Sequence, residues 1–311
     1  MKKILATATL LATSLVATQA QACWWWEDCT YTKTKYPMVF APGVLGFDKL
    51  VGFVDYWYGI PSALTYSGGK VYTTTASALN SSEARGEQLL SQVQTILAIS
   101  GAQKVNLLGH SHGGFSVRYV ADVIPTKVAS LTLIHSPAKG SPVADLVVGV
   151  VPAGTAQSFV ASISNALMGI IDYLAGNNSP EDSLAALNSL TTVGAAGFNA
   201  VHTNGMPTTA CGEGAYTANG IKNYSWNGTS SFTNTLDPLD YFFGITGLAG
   251  TEPNDGLVGQ CSSHFGKVLR DDYPWNHADA INHTFGVQGL FAPDPIDVYR
   301  AHANRLKNAG V

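Results

Sequence analysis

The stretch that decides the fold is Val105-Asn106-Leu107-Leu108-Gly109-His110-Ser111-His112-Gly113, followed by Gly114 and the helix-forming run Phe115-Ser116-Val117-Arg118-Tyr119-Val120-Ala121. An apolar run of strand length leads into a serine flanked by glycines, and a helical segment leaves it. That is the context of a nucleophile elbow, where a serine sits at strained backbone angles on a sharp strand-to-helix turn. Its neighbours must be small because the turn crowds the adjoining strand and helix. The pentapeptide alone would also suit an ordinary glycine-rich turn, and the strand before it and the helix after it carry the reading.

Working outward, Met38-Val39-Phe40-Ala41 reads as a buried strand ending at Pro42-Gly43, and Val44-Leu45-Gly46-Phe47 as an apolar loop. Residues 71–75 form a β-branched and aromatic run that suits a second strand. Asn80-Ser81-Ser82-Glu83, a cap residue with a glutamate three positions on, predicts a helix start, and Leu89, Val93 and Ile96 recur behind it at helical spacing. Residues 104–108 and 128–135 are further strands. Strands alternating with helices imply a mostly parallel central sheet with helices on both faces. From Pro142 onward the chain is weakly charged, and Phe159, Ile163, Leu167, Ile170 and Leu174 share one helical face. Such a helix serves either the core or a mobile lid; its place after a strand leading away from the elbow points to a helical lid over about residues 142–176. Asn219-Gly220 between alternating strand residues signals a two-residue hairpin. No internal repeat or linker breaks the pattern, so residues 23–311 read as one domain.

Residues 1–22 combine Lys2-Lys3, an apolar and Ala/Thr-rich run and a small-X-small site at Ala20-Gln21-Ala22, which predicts a cleaved signal peptide and a secreted protein. Cys23 also raises a lipid-anchored alternative, against which Ala20 stands where such signals usually carry leucine. Cleavage removes two lysines and no acid, taking the formal charge from −4 to −6 and arguing against nucleic acid as a partner. With 12% charged and 46% hydrophobic residues, the chain can bury a large core and still spare apolar surface for an interface. The four cysteines, Cys23, Cys29, Cys211 and Cys261, allow three pairings. The short Trp-rich loop favours Cys23 with Cys29, which leaves Cys211 with Cys261; that second link would contribute about 4 kcal/mol on the chain-entropy model.

A serine nucleophile needs a base, and the base a carboxylate that holds its tautomer. Of the eight histidines, His110 and His112 belong to the elbow, His135 follows too soon for an acid to intervene, and His302 lies in a polar C-terminal helical stretch. Among His202, His264, His277 and His283, the strongest base is His277, on the Pro-containing loop Tyr273-Pro274-Trp275-Asn276 ahead of a helical pattern over residues 278–285; His264 is the runner-up. Asp255, in an Asn254-Asp255-Gly256 turn before the strand-like Leu257-Val258, suits a positioned acid, although composition alone would make it a plain turn.

Gly109-His110-Ser111-His112-Gly113-Gly114, Leu236-Asp237-Pro238, Asn254-Asp255-Gly256-Leu257-Val258-Gly259 and Asn276-His277-Ala278-Asp279 together resemble the Pseudomonas-type secreted bacterial true lipases, from about residue 31 to the C-terminus. The resemblance implies an α/β-hydrolase with Ser111 as nucleophile, Asp255 as acid and His277 as base. It implies an oxyanion hole from the backbone N–H groups of Val44 and His112, and a disulfide between Cys211 and Cys261. The family commonly has His-Gly where this chain has Pro42-Gly43; proline removes one N–H but not that of Val44. One structural Ca²⁺ is implied as well, held by the carboxylates of Asp237 and Asp279 and the carbonyls of His283 and Val287, where many relatives carry glutamine at the His283 position. Without the resemblance both aspartates read as surface or capping groups. The expected activity is triacylglycerol hydrolysis at a lipid–water interface, with a dedicated foldase chaperone as folding partner. A base that must start unprotonated implies a neutral-to-basic optimum. Two alternatives stand beside it: an esterase or polyester depolymerase with the same triad, and a non-catalytic surface-binding protein on the same scaffold. The Trp-rich extension over residues 23–30 has no counterpart in the family, and reads as a packed plug or a surface contact.

Overall fold

The computed structural model describes residues 28–44, 49–50, 54–77, 79–150, 154–175 and 182–311. The expected signal peptide and Cys23 with its tryptophans lie outside them. The main sheet contains β1 (Met38–Ala41), β4 (Val71–Thr73), β5 (Val105–His110), β6 (Val128–Ile134), β7 (Thr217–Ala218), β8 (Ile221–Gly228) and β9 (Lys267–Tyr273). Its order is β4-β1-β5-β6-β8, with both β7 and β9 on the outer edge of β8, and every pairing is parallel except β7 with β8. A short antiparallel pair, β2 (Lys49–Leu50) and β3 (Val54–Asp55), stands apart. The second strand stops at Thr73 rather than running to residue 75. Asn219 (φ 52°) and Gly220 (φ 77°) make the expected hairpin turn between β7 and β8.

Alternation along the strands explains the layers. Val39 and Leu107 pack with Leu89 and Val93 of α2 (Ser82–Ser100) and with Val117 and Val120 of α3 (Gly113–Val123). Met38, Phe40, Leu108 and Trp226 instead face Ile60 and Leu64 of α1 (Ile60–Tyr66) and Tyr299 and Ala303 of α10 (Pro295–Asn308). Successive side chains of a strand point to opposite faces, so strands apolar throughout require cover on both. The cap of α2 is Ser81, whose hydroxyl accepts the Ala84 N–H, one residue later than the Asn80 register expected. His302 is buried on the apolar face of α10 and bonds Thr132 at 2.8 Å, although the surrounding sequence is polar.

Above the carboxyl ends of the strands lie α4 (Pro142–Val147), α5 (Gln157–Ala175), α6 (Ser183–Leu190), α7 (Thr192–Val201) and α8 (Pro238–Thr246). Ile163 and Leu167 of α5 meet Val143 and Leu146 of α4 in a separate apolar cluster that also takes in Val44 and Leu257. Gly169 of α5 sits directly on the ring of Phe242 in α8, where a Cβ would collide with the ring. No single helix among the described residues is long and apolar enough to cross a membrane.

Candidate active site

Ser111 follows β5 with φ 53°, the strained angle of an elbow. Its N–H donates to the Ile134 carbonyl at 2.9 Å, fixing the turn to β6. The small residues are required by crowding: a Cβ on Gly113 would meet the Ala41 carbonyl, and one on Gly43 would lie 2.6 Å from the Cβ of Ser111. His112 occupies the N-cap position of α3. Its N–H and that of Val44 are taken by no other group among the described residues, as donors awaiting a developing oxyanion must be.

Asp255 and His277 come together across 22 residues: His277 Nδ1–H donates to Asp255 Oδ2 at 2.8 Å, and the His277 main-chain N–H to the Asp255 carbonyl at 2.9 Å. Residues 257–258 are not a strand. They belong to a tight loop closed by an isolated bridge between Asn254 and Gly259, which lets the Leu257 and Val258 N–H groups turn back onto Asp255 Oδ1 at 2.9 and 2.7 Å. Burial would push the Asp255 carboxyl up, but the imidazoles of His277 and His135 outweigh it and hold the acid well below the usual carboxylate range. Because the carboxylate only accepts, His277 carries its proton on Nδ1 and leaves Nε2 as the lone pair. His277 and Ser111 line one cavity of about 90 Å³, walled by apolar groups including Val44, Leu167, Leu187, Leu190 and Leu257. The Ser111 hydroxyl makes no hydrogen bond among the described residues, and contacts of this type commonly tighten only when substrate binds.

Two of the other base candidates are engaged elsewhere, and both ring nitrogens of the third, His283, are buried without a hydrogen-bond partner among the described residues. His202 bonds Asp122 at 2.7 Å, and His264 bonds Asp271 at 2.9 Å and the Gly212 carbonyl at 3.2 Å. His135, whose place in the chain argues against a role beside the acid, instead meets Asp255 Oδ2 at 2.7 Å. His135, Asp255 and His277 are, among the described residues, the one group of three His, Cys, Asp or Glu side chains whose ligand atoms converge closely, yet both Nδ1 atoms already donate protons to the carboxylate.

A bracing network escaped the sequence. Tyr56 accepts the Gly43 N–H at 2.9 Å, and its own O–H donates to His110 Nδ1 at 2.7 Å. His110 Nε2–H then donates to the His277 carbonyl at 3.0 Å, linking the loop before Val44 to the base. Burial, then the neighbouring His277 and His135, lower the pKa of His110 well below the usual range, consistent with this neutral role. Arg85 of α2 donates to the carbonyls of Pro42 (3.0 Å) and Gly43 and so braces the loop that leads to Val44. One signal was available: Arg85 stands in helical register with Leu89, Val93 and Ile96, a buried face where a charge must have partners.

Asp237 and Asp279 are both buried and neither is a surface group, but Asp237 is a capping group, as composition suggests, at the N-cap of α8. Each uses one oxygen as a local brace: Asp237 Oδ1 accepts the Leu239 N–H at 2.8 Å, and Asp279 Oδ2 accepts Asn276 N–H and Thr233 O–H, each at 2.9 Å. The other oxygens, Asp237 Oδ2 and Asp279 Oδ1, have no hydrogen-bond partner. Burial pushes the two carboxyls up, to about 6 and about 8. Orphaned, buried carboxylate oxygens are the donor set a hard cation fits. Residues 278–285 are not one helix: a 3₁₀ turn at Asp279–Ile281 gives way to the single turn α9 (His283–Gly286), with Asn282, Thr284 and Phe285 at φ 58°, 53° and 59°. His283 is neutral, its pKa lowered by burial to about 4, so its ring adds no charge. The disulfide joins Cys211 and Cys261, Cα atoms 4.6 Å apart, beside the loop that carries Asp255.

A serine on an elbow, an aspartate-held histidine beside it and two unclaimed N–H groups, all at the carboxyl end of a parallel sheet, define a serine ester hydrolase of the α/β type. Residues 36–281 match the family model described as alpha/beta hydrolase fold. The chain is 54% identical over 283 residues to a triacylglycerol lipase of Vibrio cholerae, covering 90% of each chain, and 39% identical to one of Pseudomonas fragi, covering 89% of this chain and 98% of that one. It superposes on the Staphylococcus hyicus lipase with TM-score 0.58 at 18% identity, over 89% of this chain and 97% of that one, a likeness of fold. The chain therefore belongs to the α/β hydrolase family and, within it, to the bacterial triacylglycerol lipases that its motifs resemble.

Proposed function

We propose that this lipase hydrolyses acylglycerols through an acyl-enzyme on Ser111, with His277 as base and Asp255 as the acid that holds it. The observation that carries the reading is the meeting of Ser111 and the Asp255-bound His277 in one apolar cavity. His277 Nε2 takes the serine proton as Oγ attacks the ester carbonyl, and the new oxyanion is received by the N–H groups of Val44 and His112. Proton return to the leaving glycerol oxygen releases the diglyceride and leaves the acyl-serine. Water, activated by the same imidazole, then frees the fatty acid. The apolar walls exclude water from the acyl chain and pay no polar desolvation cost when it enters.

Residues 142–176 act as the lid in this reading, supported by the packing of α5 over α8 beside the cavity. Asp237 and Asp279, with the carbonyls of His283 and Val287, would hold one calcium ion. When bound it compensates the buried charge; the chain itself keeps Asp279 two residues from the base and ties it to Asn276. Cleavage after Ala22 would send the protein out of the cell, where the Cys211–Cys261 link is at home, and a foldase would assist its folding.

Two measurements test this. Hydrolysis rates against triglycerides of increasing acyl length, below and above their solubility limits, should rise once a lipid interface forms; equal rates per molecule on either side would favour an esterase. Ser111→Ala should leave the fold intact, abolish turnover and remove covalent labelling by an organophosphonate. Retained turnover would overturn the nucleophile assignment.

A further inference from the structure

Asp255 is loaded with more donors than holding one histidine requires. Oδ1 takes two main-chain N–H groups, and Oδ2 takes His277 Nδ1–H. A fourth donor, His135 Nδ1–H, reaches the same Oδ2 at 2.7 Å, with both side chains fully buried.

The fold is built to bring His135 there. It is the first residue beyond β6 and takes φ 45°, a left-handed angle uncommon for a non-glycine residue, which its surroundings hold in place. The constraint is visible: its N–H donates to the Trp226 carbonyl at 3.0 Å, carrying the β6–β8 register one residue further. Trp275 lies stacked with the ring at a centroid distance of 6.3 Å. Gly228 leaves the space it needs, since a Cβ there would stand 2.8 Å from His135 Cε1. Because the carboxylate only accepts, Nδ1 bears the proton. Nε2 is buried with no partner, which is tolerable for a lone pair and costly for an N–H, so the ring is neutral.

We propose that His135 is a positioning residue for ester hydrolysis: a fixed, neutral N–H donor that locks the Asp255 carboxylate in the orientation that keeps His277 in its Nδ1–H tautomer. The inference rests on reading Ser111, Asp255 and His277 as the triad. With His135 in place, all four bonds meet the carboxylate from fixed directions, two from the 254–259 loop and two from imidazoles. Without it, Oδ2 is held by His277 alone, and the carboxylate, still pinned at Oδ1 by the 254–259 loop, can swing about that edge and carry the imidazole away from Ser111. His135 touches neither substrate nor the reacting atoms; its effect passes through Asp255.

The wild-type enzyme, labelled with ¹⁵N-histidine, gives the first test. Two strongly downfield, exchange-protected Nδ1–H protons are expected, one each from His135 and His277, with His135 Nε2 unprotonated. A His135 proton on Nε2, or a single downfield proton, overturns the proposal whether or not any variant folds. The second test uses a soluble short-chain ester, so that no lipid interface enters. For His135→Phe, kcat should fall about 10- to 100-fold, as misorientation of catalytic groups does, with KM within about twofold. His135→Asn, which restores an N–H donor, should recover part of the loss, and the His277 Nδ1–H resonance should move in His135→Phe. An unchanged kcat in folded His135→Phe, a loss carried by KM, or an asparagine no better than phenylalanine would overturn it. Failure of the triad reading is distinguishable, because Ser111→Ala would then stay active.

Discussion

Asp255→Asn tests the central geometry most sharply, because every group that faces the carboxylate is a donor. The N–H groups of Leu257 and Val258 meet Oδ1, and Nδ1–H of His277 and His135 meet Oδ2. An amide offers one oxygen and one NH₂, so whichever way it turns two donors face a donor. Each buried donor left unpaired costs about 1–3 kcal/mol, or about 2–6 kcal/mol for two. The main-chain N–H groups cannot change; the imidazoles can, by moving their proton to Nε2. The amide oxygen will therefore turn to the main chain and the NH₂ to the histidines, and His277 will present a proton to Ser111 where a lone pair is needed. Loss of the base by tautomer should lower kcat by about 10³–10⁴, or roughly 4–5.5 kcal/mol, with KM little changed. The assay is steady-state hydrolysis of a soluble ester, with a thermal melt to establish folding and Asp297→Asn, on the exposed side of α10, as comparator. Asp240 would be a poor comparator, since it is buried and bonded to Asn276 and the 233–234 backbone. The variant should also change the acid limb of stability. A carboxyl held below its unfolded pKa of about 3.9 stabilises the fold above that pH and loses the contribution as pH falls toward the folded pKa. Wild type should thus lose melting temperature below about pH 4 more steeply than Asp255→Asn. A kcat within tenfold of wild type, in a folded variant, would refute the reasoning.

Two further outcomes are expected. Chelation of a calcium-loaded preparation should lower the melting temperature, and Asp279→Asn should remove that sensitivity; a melt that EDTA leaves unmoved would count against Asp237 and Asp279 as ligands. Gly169→Leu should force α5 off Phe242, raising activity on dissolved ester without an interface while lowering the melting temperature. Unaltered interfacial dependence would remove α5 from the lid.

The elbow was legible because its pattern is local: strand, turn and helix are neighbours, and Gly109 is required by the main chain of Gly113 and Gly114, although Gly113 and Gly114 answer to Ala41 and Ser136, which are distant in sequence. Asp255 and His277 were reached through their loops and the family motif, and the structure joins them by two hydrogen bonds, one between side chains and one between main chains. The reading failed where a local rule met a tertiary constraint. Residues 278–285 have helical spacing, but the turn around Asp279 forces three residues into left-handed angles. Leu257-Val258 looks like a strand, but its N–H groups serve Asp255 instead of a neighbouring strand.

By itself, then, the chain determined its class, the strand–turn–helix that carries Ser111 and the presence of helices on both faces of the sheet, since these follow from local periodicity and turn chemistry. Only the tertiary structure decided what surrounds the reacting groups. His135 lies close to Ser111 in sequence, with no room for an acid between them, yet the β6–β8 register carries it onto Asp255, 120 residues away. Tyr56, Arg85 and His110 likewise acquire their roles only when the loop at Gly43, helix α2 and the elbow meet. Hydrogen bonds between buried groups depend on positions fixed to a few tenths of an ångström. Spacing along the chain does not encode such distances; the packing of the sheet and its two helical layers does.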